Sequence, residues 1–431
     1  MLRRSLIMMI ALALLAPAAL FAGGQGEDAQ GGEAAESEMA AGEPSGELVI
    51  NSNLSDPAPK EAFGNLVAKF EEEYPEIDVT LNTFDHEAYK TAIRNFLVSD
   101  PPDVALWFAG NRMKFFVDQG LFMDISDVWE EAGFNETMAS SRPTLTVDGS
   151  QYGVPWGYYQ WGVFYRTDIF EEYGLEVPET WDEFLSVSQT LKDNDITPIT
   201  IGTKFLWTAA GWFDYLNLRI NGFDYHMELM DGDASYQDPE LDEVFATWEE
   251  LLDRGFFLEN HATYSWQEAQ APFINGNAAM YLIGNFMVPD MERAGVVDNV
   301  GFFQFPQINP EVGMFEDAPM ESYHIPSGAE NVENAKLFLE FASRADVLGE
   351  FANAVGNISP NNQSPPPEDR FTRAGFELLN NADGLAQFYD RDTDPEMAST
   401  GMEGFQEFMV NPDRLPQIRE RLDRERQSVF E

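Results

Sequence analysis

The feature that most constrains this sequence is an alternation of hydrophobic periods that begins at Glu47. Leu48-Val49-Ile50 is a short apolar run of strand character. Phe63, Leu66, Val67, Phe70 and Tyr74 then recur at helical spacing until Pro75 stops them, and Ile77, Val79, Leu81 and Thr83 alternate as a strand does. A second helical segment covers 89–97, and Pro101-Pro102 leads from it into the apolar strand Val104-Ala105-Leu106. Strand, helix, strand, helix, strand in this order predicts a parallel sheet with helices on its faces, because parallel neighbours need a crossover and an amphipathic helix supplies it.

Further along, Thr180-Trp181-Asp182-Glu183 reads as a capping box, as does Ser265-Trp266-Gln267-Glu268. The second opens a helix that reaches Ile274 and stops near Gly276, ahead of a strand from Ala278 to Ile283. A strand is also expected at Ile199-Thr200-Ile201, and Val332, Ala335, Phe338, Leu339 and Ala342 share one face of a late helix. A chain of 431 residues suggests two or three domains. No linker interrupts it after Gly46, so the chain must cross between lobes several times.

Before Glu47 the character changes. Residues 1–22 carry Arg3 and Arg4, an apolar run from Leu6 to Leu20 and Ala22 at the expected cut, the pattern of a secretory signal peptide. The apolar run is shorter than the ~20 residues that span a bilayer. A cleaved leader and a periplasmic or secreted location follow. Residues 23–46 contain no aromatic, no β-branched residue and no cation, so they are expected to form a disordered acidic linker.

Charge and cysteine content exclude several functions. With 25 Lys plus Arg against 75 Asp plus Glu the net charge is -50, which repels a phosphate backbone, so nucleic acid is not a partner. The absence of Cys removes disulfides, zinc-thiolate sites, thiol nucleophiles and a lipid anchor on an N-terminal cysteine. His86, His226, His261 and His324 stand far apart in sequence and are expected to be surface or hydrogen-bonded residues. No metal site and no cofactor are expected. Carboxylate pairs carry no information among 75 acids.

The aromatic residues are more informative. Trp107-Phe108 ends the third strand, Trp156, Tyr158, Tyr159 and Trp161 crowd one short stretch, and Trp207 and Trp212 follow the strand at 199–201. In open α/β sheets ligands bind beyond the carboxyl ends of strands, where several of these residues fall. Any one of them reads equally well as core, but the set reads as the lining of a cleft. A sugar packs its apolar face on an aromatic ring and offers hydroxyls to Asn, Asp, Glu or Gln. Asn53, Asp85, Asn111, Gln160, Asn285 and Glu321 could supply that polar rim.

Six segments then stand out in order: FEEEYPEIDVTL; PPDVALW with VDQGLFMDIS; YGVPWGYYQWGVFYRTDIFEEYGLEVPETWDEF; APFINGNAAMYLIGNF; VGFFQFPQI; and AKLFLEFASRADVLGEF. Together they resemble the extracellular solute-binding proteins of bacterial ABC importers, in the sugar-binding family that includes maltose-binding protein, over about residues 47–431. The resemblance implies an α/β chain with the two-lobed periplasmic-binding-protein fold of type II, its lobes hinged around a central ligand cleft. Crossings are placed near Gly157, Met320 and Ala354, giving an N-terminal lobe of 47–158 plus 322–355 and a C-terminal lobe of 159–321 plus 356–431. By carry-over the ligand is lined by Asn53, Trp107, Phe108, Asn111, Tyr158, Tyr159, Trp207, Trp212 and Phe286, to which the residue reading adds Asp85, Trp156 and Glu321. Tyr159 stands where maltose-binding protein has an acid in the crossing.

The implied function is that of a monomeric, non-enzymatic receptor. It would capture a mono- or oligosaccharide and present it to the membrane permease subunits of an ABC transporter. Two alternatives remain open at this point: a receptor for a glycerol-phosphate-type anion, held by Arg112 and Lys114, and a secreted polysaccharide-active enzyme, which would need two pocket carboxylates.

Overall fold

The computed structural model describes residues 44–431; the expected signal peptide and all of the expected linker except 44–46 lie outside the described residues. Gly46 already belongs to the first strand, Gly46–Ser52. That strand pairs in parallel with Ile77–Thr83 on one side and Val104–Phe108 on the other. Helices Pro57–Glu73 and His86–Ser99 make the crossovers, as the alternating periods predict. Pro57 occupies the first turn of its helix, where the missing N–H costs nothing, and the helix buries Phe63, Leu66, Val67 and Phe70 before ending at Tyr74, ahead of Pro75. Two later strands complete this first sheet: Met320–His324, antiparallel to Val104–Phe108, and Val154–Tyr158 beyond it.

The second sheet takes Val300–Phe303, Trp161–Arg166, Ala278–Gly284 and Thr197–Ile199 in that spatial order. The strand expected at 199–201 runs Thr197–Ile199; Thr200 still donates its N–H to the Met280 carbonyl at 2.8 Å and its hydroxyl to the Ala269 carbonyl at 2.7 Å. Both capping boxes close. Glu183 Oε2 accepts the Thr180 N–H at 3.0 Å and Thr180 Oγ1 accepts the Glu183 N–H at 3.4 Å, at the start of helix Trp181–Asp193. Ser265 and Glu268 make the same exchange at 2.7 and 3.1 Å, but over a turn, and regular helix begins only at Gln270. Each sheet has its own apolar core. The C-terminal helices Pro395–Val410 and Leu415–Phe430 join that of the second sheet through Phe405, Phe408, Ile418 and Leu422.

The chain passes between the sheets three times: between Tyr158 and Trp161, between Phe303 and Met320, and just after Val355. Met320 and Glu321 are therefore strand residues of the first sheet, slightly earlier than the expected boundary after 321. The first and third passages are laced together. Tyr158 and Ile358 exchange backbone hydrogen bonds at 3.1 and 2.7 Å, and Asn285 Nδ2 donates to the Gly356 carbonyl at 2.7 Å and to Thr372 Oγ1 at 2.9 Å. Gln160 Nε2 donates to the Phe371 carbonyl at 3.2 Å. Gln160 and Asn285, expected on a sugar-binding rim, stitch the passages instead.

Candidate functional site

A cavity of about 130 Å³ lies between the two sheets, walled by residues of both and of the passages. The first sheet contributes Asn53 beyond its first strand, Phe108 at the end of its third, Trp156 and Glu321. His86 and Lys90 come from the helix behind them. From the other side come Trp161, Trp207, Trp266, Phe286, Phe388, Asp390 and Arg391, while Tyr159 and Asn357 stand in the passages.

The rings meet edge to face. Trp161 and Trp207 are 5.9 Å apart at 87°, Trp266 and Phe286 5.0 Å at 83°, and Tyr159 and Phe286 5.2 Å at 88°. This is the favoured geometry for aromatic quadrupoles and holds the rings as a rigid box. Trp207 is put there by an unusual turn. Leu206 has φ 70° and ψ -47°, and the Trp207 N–H closes on the Phe205 carbonyl at 2.8 Å, a γ-turn that stores backbone strain immediately before helix Trp207–Ile220. From that position Trp207 Nε1 donates to Glu87 Oε1 of the first lobe at 3.1 Å.

Arg391 anchors the polar wall. Its guanidinium donates to Glu321 Oε1 at 2.8 Å, to Tyr159 Oη at 3.2 Å and to the Met320 carbonyl at 2.9 Å, and lies 4.4 Å from the Phe108 ring centre. Burial opposes its charge, but Tyr159, Glu321 and Asp390 raise its pKa further. For Asp390, burial alone would raise the pKa; Arg112, Arg391 and Lys90 outweigh it and hold the carboxyl below its usual range. Burial lowers Lys90, and burial together with Lys90 keeps His86 neutral, well below the usual imidazole value. Asp56 is raised, mainly by burial. Four carboxylates, those of Asp56, Asp290, Glu321 and Asp390, thus face two cations, Lys90 and Arg391. Among the described residues neither Oε2 of Glu321 nor the Asn357 side-chain amide makes a hydrogen bond, so both remain for a ligand.

Seven residues expected from the sequence meet at this cavity: Asn53, Phe108, Trp156, Tyr159, Trp207, Phe286 and Glu321. Five do not. Asp85 caps helix His86–Ser99, accepting the Ala88 N–H at 2.9 Å. Trp107 is packed between Tyr89 and Phe116 with its indole N–H on the Arg112 carbonyl. Trp212 is core, set against Phe257 and Phe305. The Tyr158 side chain packs in a small cluster with Ala318, Ile358 and Leu379 at the passages. Asn111 is a clamp between the lobes, donating to the Asp392 carbonyl at 2.8 Å. The anion-binding pair also dissolves, since Arg112 is bound to Asp390 at 2.6 Å and Lys114 to Asp118 on the surface. Of the histidines, His226, His261 and His324 are hydrogen-bonded in the interior, while His86 stands on the cavity wall.

Trp161, part of the aromatic set read as cleft lining but not among the expected ligand residues, also lies on the wall, and the sequence reading missed His86, Lys90, Trp266, Asn357, Phe388, Asp390 and Arg391. Trp266 was visible only as part of a capping box. The run Phe388-Tyr389-Asp390-Arg391-Asp392, two aromatics followed by alternating charges with no helical period, was the one local signal for the polar wall.

Asp392 gives a pH prediction. Its Oδ2 accepts the N–H groups of Gln387 and Phe388 at 2.7 and 3.2 Å, yet burial pushes its pKa up to about 7. The unfolded chain releases this proton near pH ~4. Between those values the folded state binds more protons, so the contribution of Asp392 is complete at low pH and is lost as pH rises through about 7. Buried Asp214 and Asp317 act in the same direction and the buried histidines in the opposite one, so a difference measurement is required. Asp392→Asn keeps the acceptor and removes the charge. Its melting temperature relative to the parent should climb from pH ~4 to ~8; a constant offset would show that Asp392 does not titrate there.

With this geometry in hand, comparison with known proteins identifies the lineage. The profile described as bacterial extracellular solute-binding protein matches residues 55–347. The bacterial solute receptor AcbH, of known structure, is 31% identical, the match covering 90% of this chain and 100% of that one at a TM-score of 0.86. The Multiple sugar-binding protein of Streptococcus mutans is 23% identical over 307 residues, 68% of this chain and 70% of that protein. The receptor RafE in complex with raffinose shares the fold at a TM-score of 0.75 and 18% identity, covering 90% of this chain and all of that one. The chain belongs to the bacterial extracellular solute-binding protein family.

Proposed function

We propose that this protein is the extracytoplasmic receptor of an ABC importer, that it binds a neutral carbohydrate in the cavity between its sheets, and that it delivers the ligand unaltered to the membrane permease. The observation that carries the reading is the aromatic box assembled from both lobes, with polar groups left open on its wall. Relatives named for sugars, and AcbH, described as preferring β-D-galactopyranose exclusively, support it. The excess of carboxylates over cations on the wall disfavours an anionic ligand. Of the wall carboxylates Asp390 is held below its usual pKa while burial raises Asp56, so chromatography of the incubated ligand, and not the pKa pattern, separates a receptor from a glycoside hydrolase. A single chain supplies the whole cavity, so a monomer suffices. Incubation with a bound sugar followed by chromatography tests the reading: the ligand should be recovered intact, and a cleaved or modified sugar would overturn it.

Residues 46–158 with 320–355, and 159–319 with 356–431, are proposed to move as the two lobes about the three passages, the described state being closed. Gly110 makes closure testable. It has φ 70° and ψ -148°, a region open only to glycine, and a Cβ there would lie 2.6 Å from the Arg391 carbonyl oxygen of the opposite lobe. Gly110→Ala should therefore weaken ligand binding by roughly tenfold or more, since the clash with the Arg391 carbonyl arises only when the lobes close, whereas the backbone strain of about 1 to 3 kcal/mol is carried in both states and lowers stability alone. Equal affinity in calorimetric titration would show that the lobes need not approach this closely.

A further inference from the structure

Resting on the receptor reading above, we infer that Asn357 is a specificity-determining residue of the sugar site and that Gly157 is the positioning residue that admits it. Together the Asn357 amide and the free oxygen of Glu321 read two hydroxyls of the bound sugar. Glu321 and Gly157 are direct partners in the antiparallel pairing of Met320–His324 with Val154–Tyr158. Directly opposed residues share one face of a sheet, with Cβ positions about 5 Å apart. The space that a side chain at 157 would fill beside Glu321 is taken by Asn357 of the third passage. A Cβ on Gly157 would lie 2.7 Å from Asn357 Nδ2 and 3.2 Å from its Cβ. Gly157 thus leaves the gap through which Asn357 reaches the cavity wall.

The role of the amide follows from its lack of partners. Nearby Asn361 Nδ2 donates to the Ser343 carbonyl at 3.0 Å, and Asn285 Nδ2 to the Gly356 carbonyl at 2.7 Å. Asn357 is 4% exposed, yet among the described residues its side chain bonds to none. An amide withdrawn from bulk water without a partner is costly, so a group that supplies one gains affinity. Glu321 Oε1 is committed to Arg391 and Tyr159, which leaves Oε2 as an acceptor next to an amide that both donates and accepts. Hydroxyls satisfy both neighbours, because each can donate to the carboxylate and accept from the amide. A carbonyl or ether oxygen at Glu321 would set acceptor against acceptor. Unlike Gly110, Gly157 lies in regular strand, so alanine strains nothing in the backbone and acts only by displacing the Asn357 amide.

Calorimetric titration of the purified protein with D-glucose, D-galactose, D-mannose, maltose and raffinose selects the tightest of these ligands, with glycerol 3-phosphate as the anionic control. Its monodeoxy derivatives then report on single hydroxyls. Asn357→Ala should weaken the chosen sugar by about tenfold, the scale of one hydrogen bond in a water-poor site, and Gly157→Ala by about the same factor. One monodeoxy derivative should bind the unaltered protein about tenfold more weakly and lose less than about twofold further on either substitution. In the Asn357→Ala background, where only a Cβ remains near position 157, Gly157→Ala should also cost less than about twofold. A general disturbance of the passages would instead weaken every derivative alike. Equal losses across the series, or unchanged affinity in Asn357→Ala, overturn the assignment and leave the receptor reading intact. A loss in Asn357→Ala with none in Gly157→Ala overturns the role of Gly157. Binding of the phosphate alone, or of no saccharide, overturns both the assignment and the receptor reading.

Discussion

Replacing Arg391 by Ala is expected to lower sugar affinity by at least about 100-fold and to destabilise the ligand-bound protein by about 3 to 5 kcal/mol, the cost of leaving a buried charge without its partner. Arg391 is only 7% exposed and belongs to the second lobe, yet its partners Glu321 and the Met320 carbonyl belong to the first. Its removal leaves the Glu321 carboxylate with the Tyr159 hydroxyl at 3.3 Å and no cation, and Asp390 keeps its ion pair with Arg112. Because these contacts join the lobes, the loss should appear chiefly as a weaker closed state. Arg391→Lys should fall between the two, since an ammonium restores charge but cannot span Glu321, Tyr159 and a carbonyl at once. Calorimetry and thermal unfolding with and without sugar separate affinity from stability. An Arg391→Ala protein that binds as tightly as the parent would remove the polar wall from the site.

Trp207→Ala should be the next most damaging change. It deletes one wall of the aromatic box and the indole donor to Glu87. An aromatic contact and a hydrogen bond to a carboxylate together are worth about 2 to 4 kcal/mol, or roughly 30- to 1000-fold in affinity. Trp207→Phe keeps a ring and loses the donor, so it should recover part of the loss. Folding should survive both substitutions, because Trp207 is only partly buried and the helix it opens is anchored by fully buried residues such as Trp212, Phe213 and Leu216. Unfolding of Trp207→Ala with unimpaired affinity in the folded fraction would make Trp207 a core residue.

The contrast between Trp207 and Trp212 shows where sequence reasoning stops. Five residues apart on one helix, they point about 140° from each other, so only one can face the cavity; the sequence alone does not say which. Trp107 and Phe108 pose the same question on a strand, where neighbours take opposite faces. Both faces of this sheet are covered, so both residues are apolar and nothing in the pattern marks the one that reaches the ligand. The first lobe was legible because its strands and helices alternate locally, each with its own period and stop signal. Arg391 was not. It meets Phe108 and Glu321 only after the chain has crossed between the lobes for the last time, and no local period encodes that approach. Asn285 and Gln160 have the chemistry of sugar ligands, but the carbonyls of Gly356, at the end of helix Ala345–Val355, and of Phe371, at the start of helix Arg370–Asn381, claim them first.

The most direct test of a neutral-sugar receptor is the titration of the purified protein with its best sugar at low salt and again in molar sodium chloride. The cations that reach the cavity are already tied to carboxylates, Arg391 to Glu321 and Lys90 to Glu87, so a neutral ligand displaces no counterions. Screening lengths shrink to ~3 Å at 1 M salt without touching short hydrogen bonds and ring contacts. Affinity is therefore predicted to stay within a few-fold across that range, with one site per chain. A steep fall in affinity as salt rises would mean that the ligand is an anion held by Lys90 and Arg391, and would contradict the account.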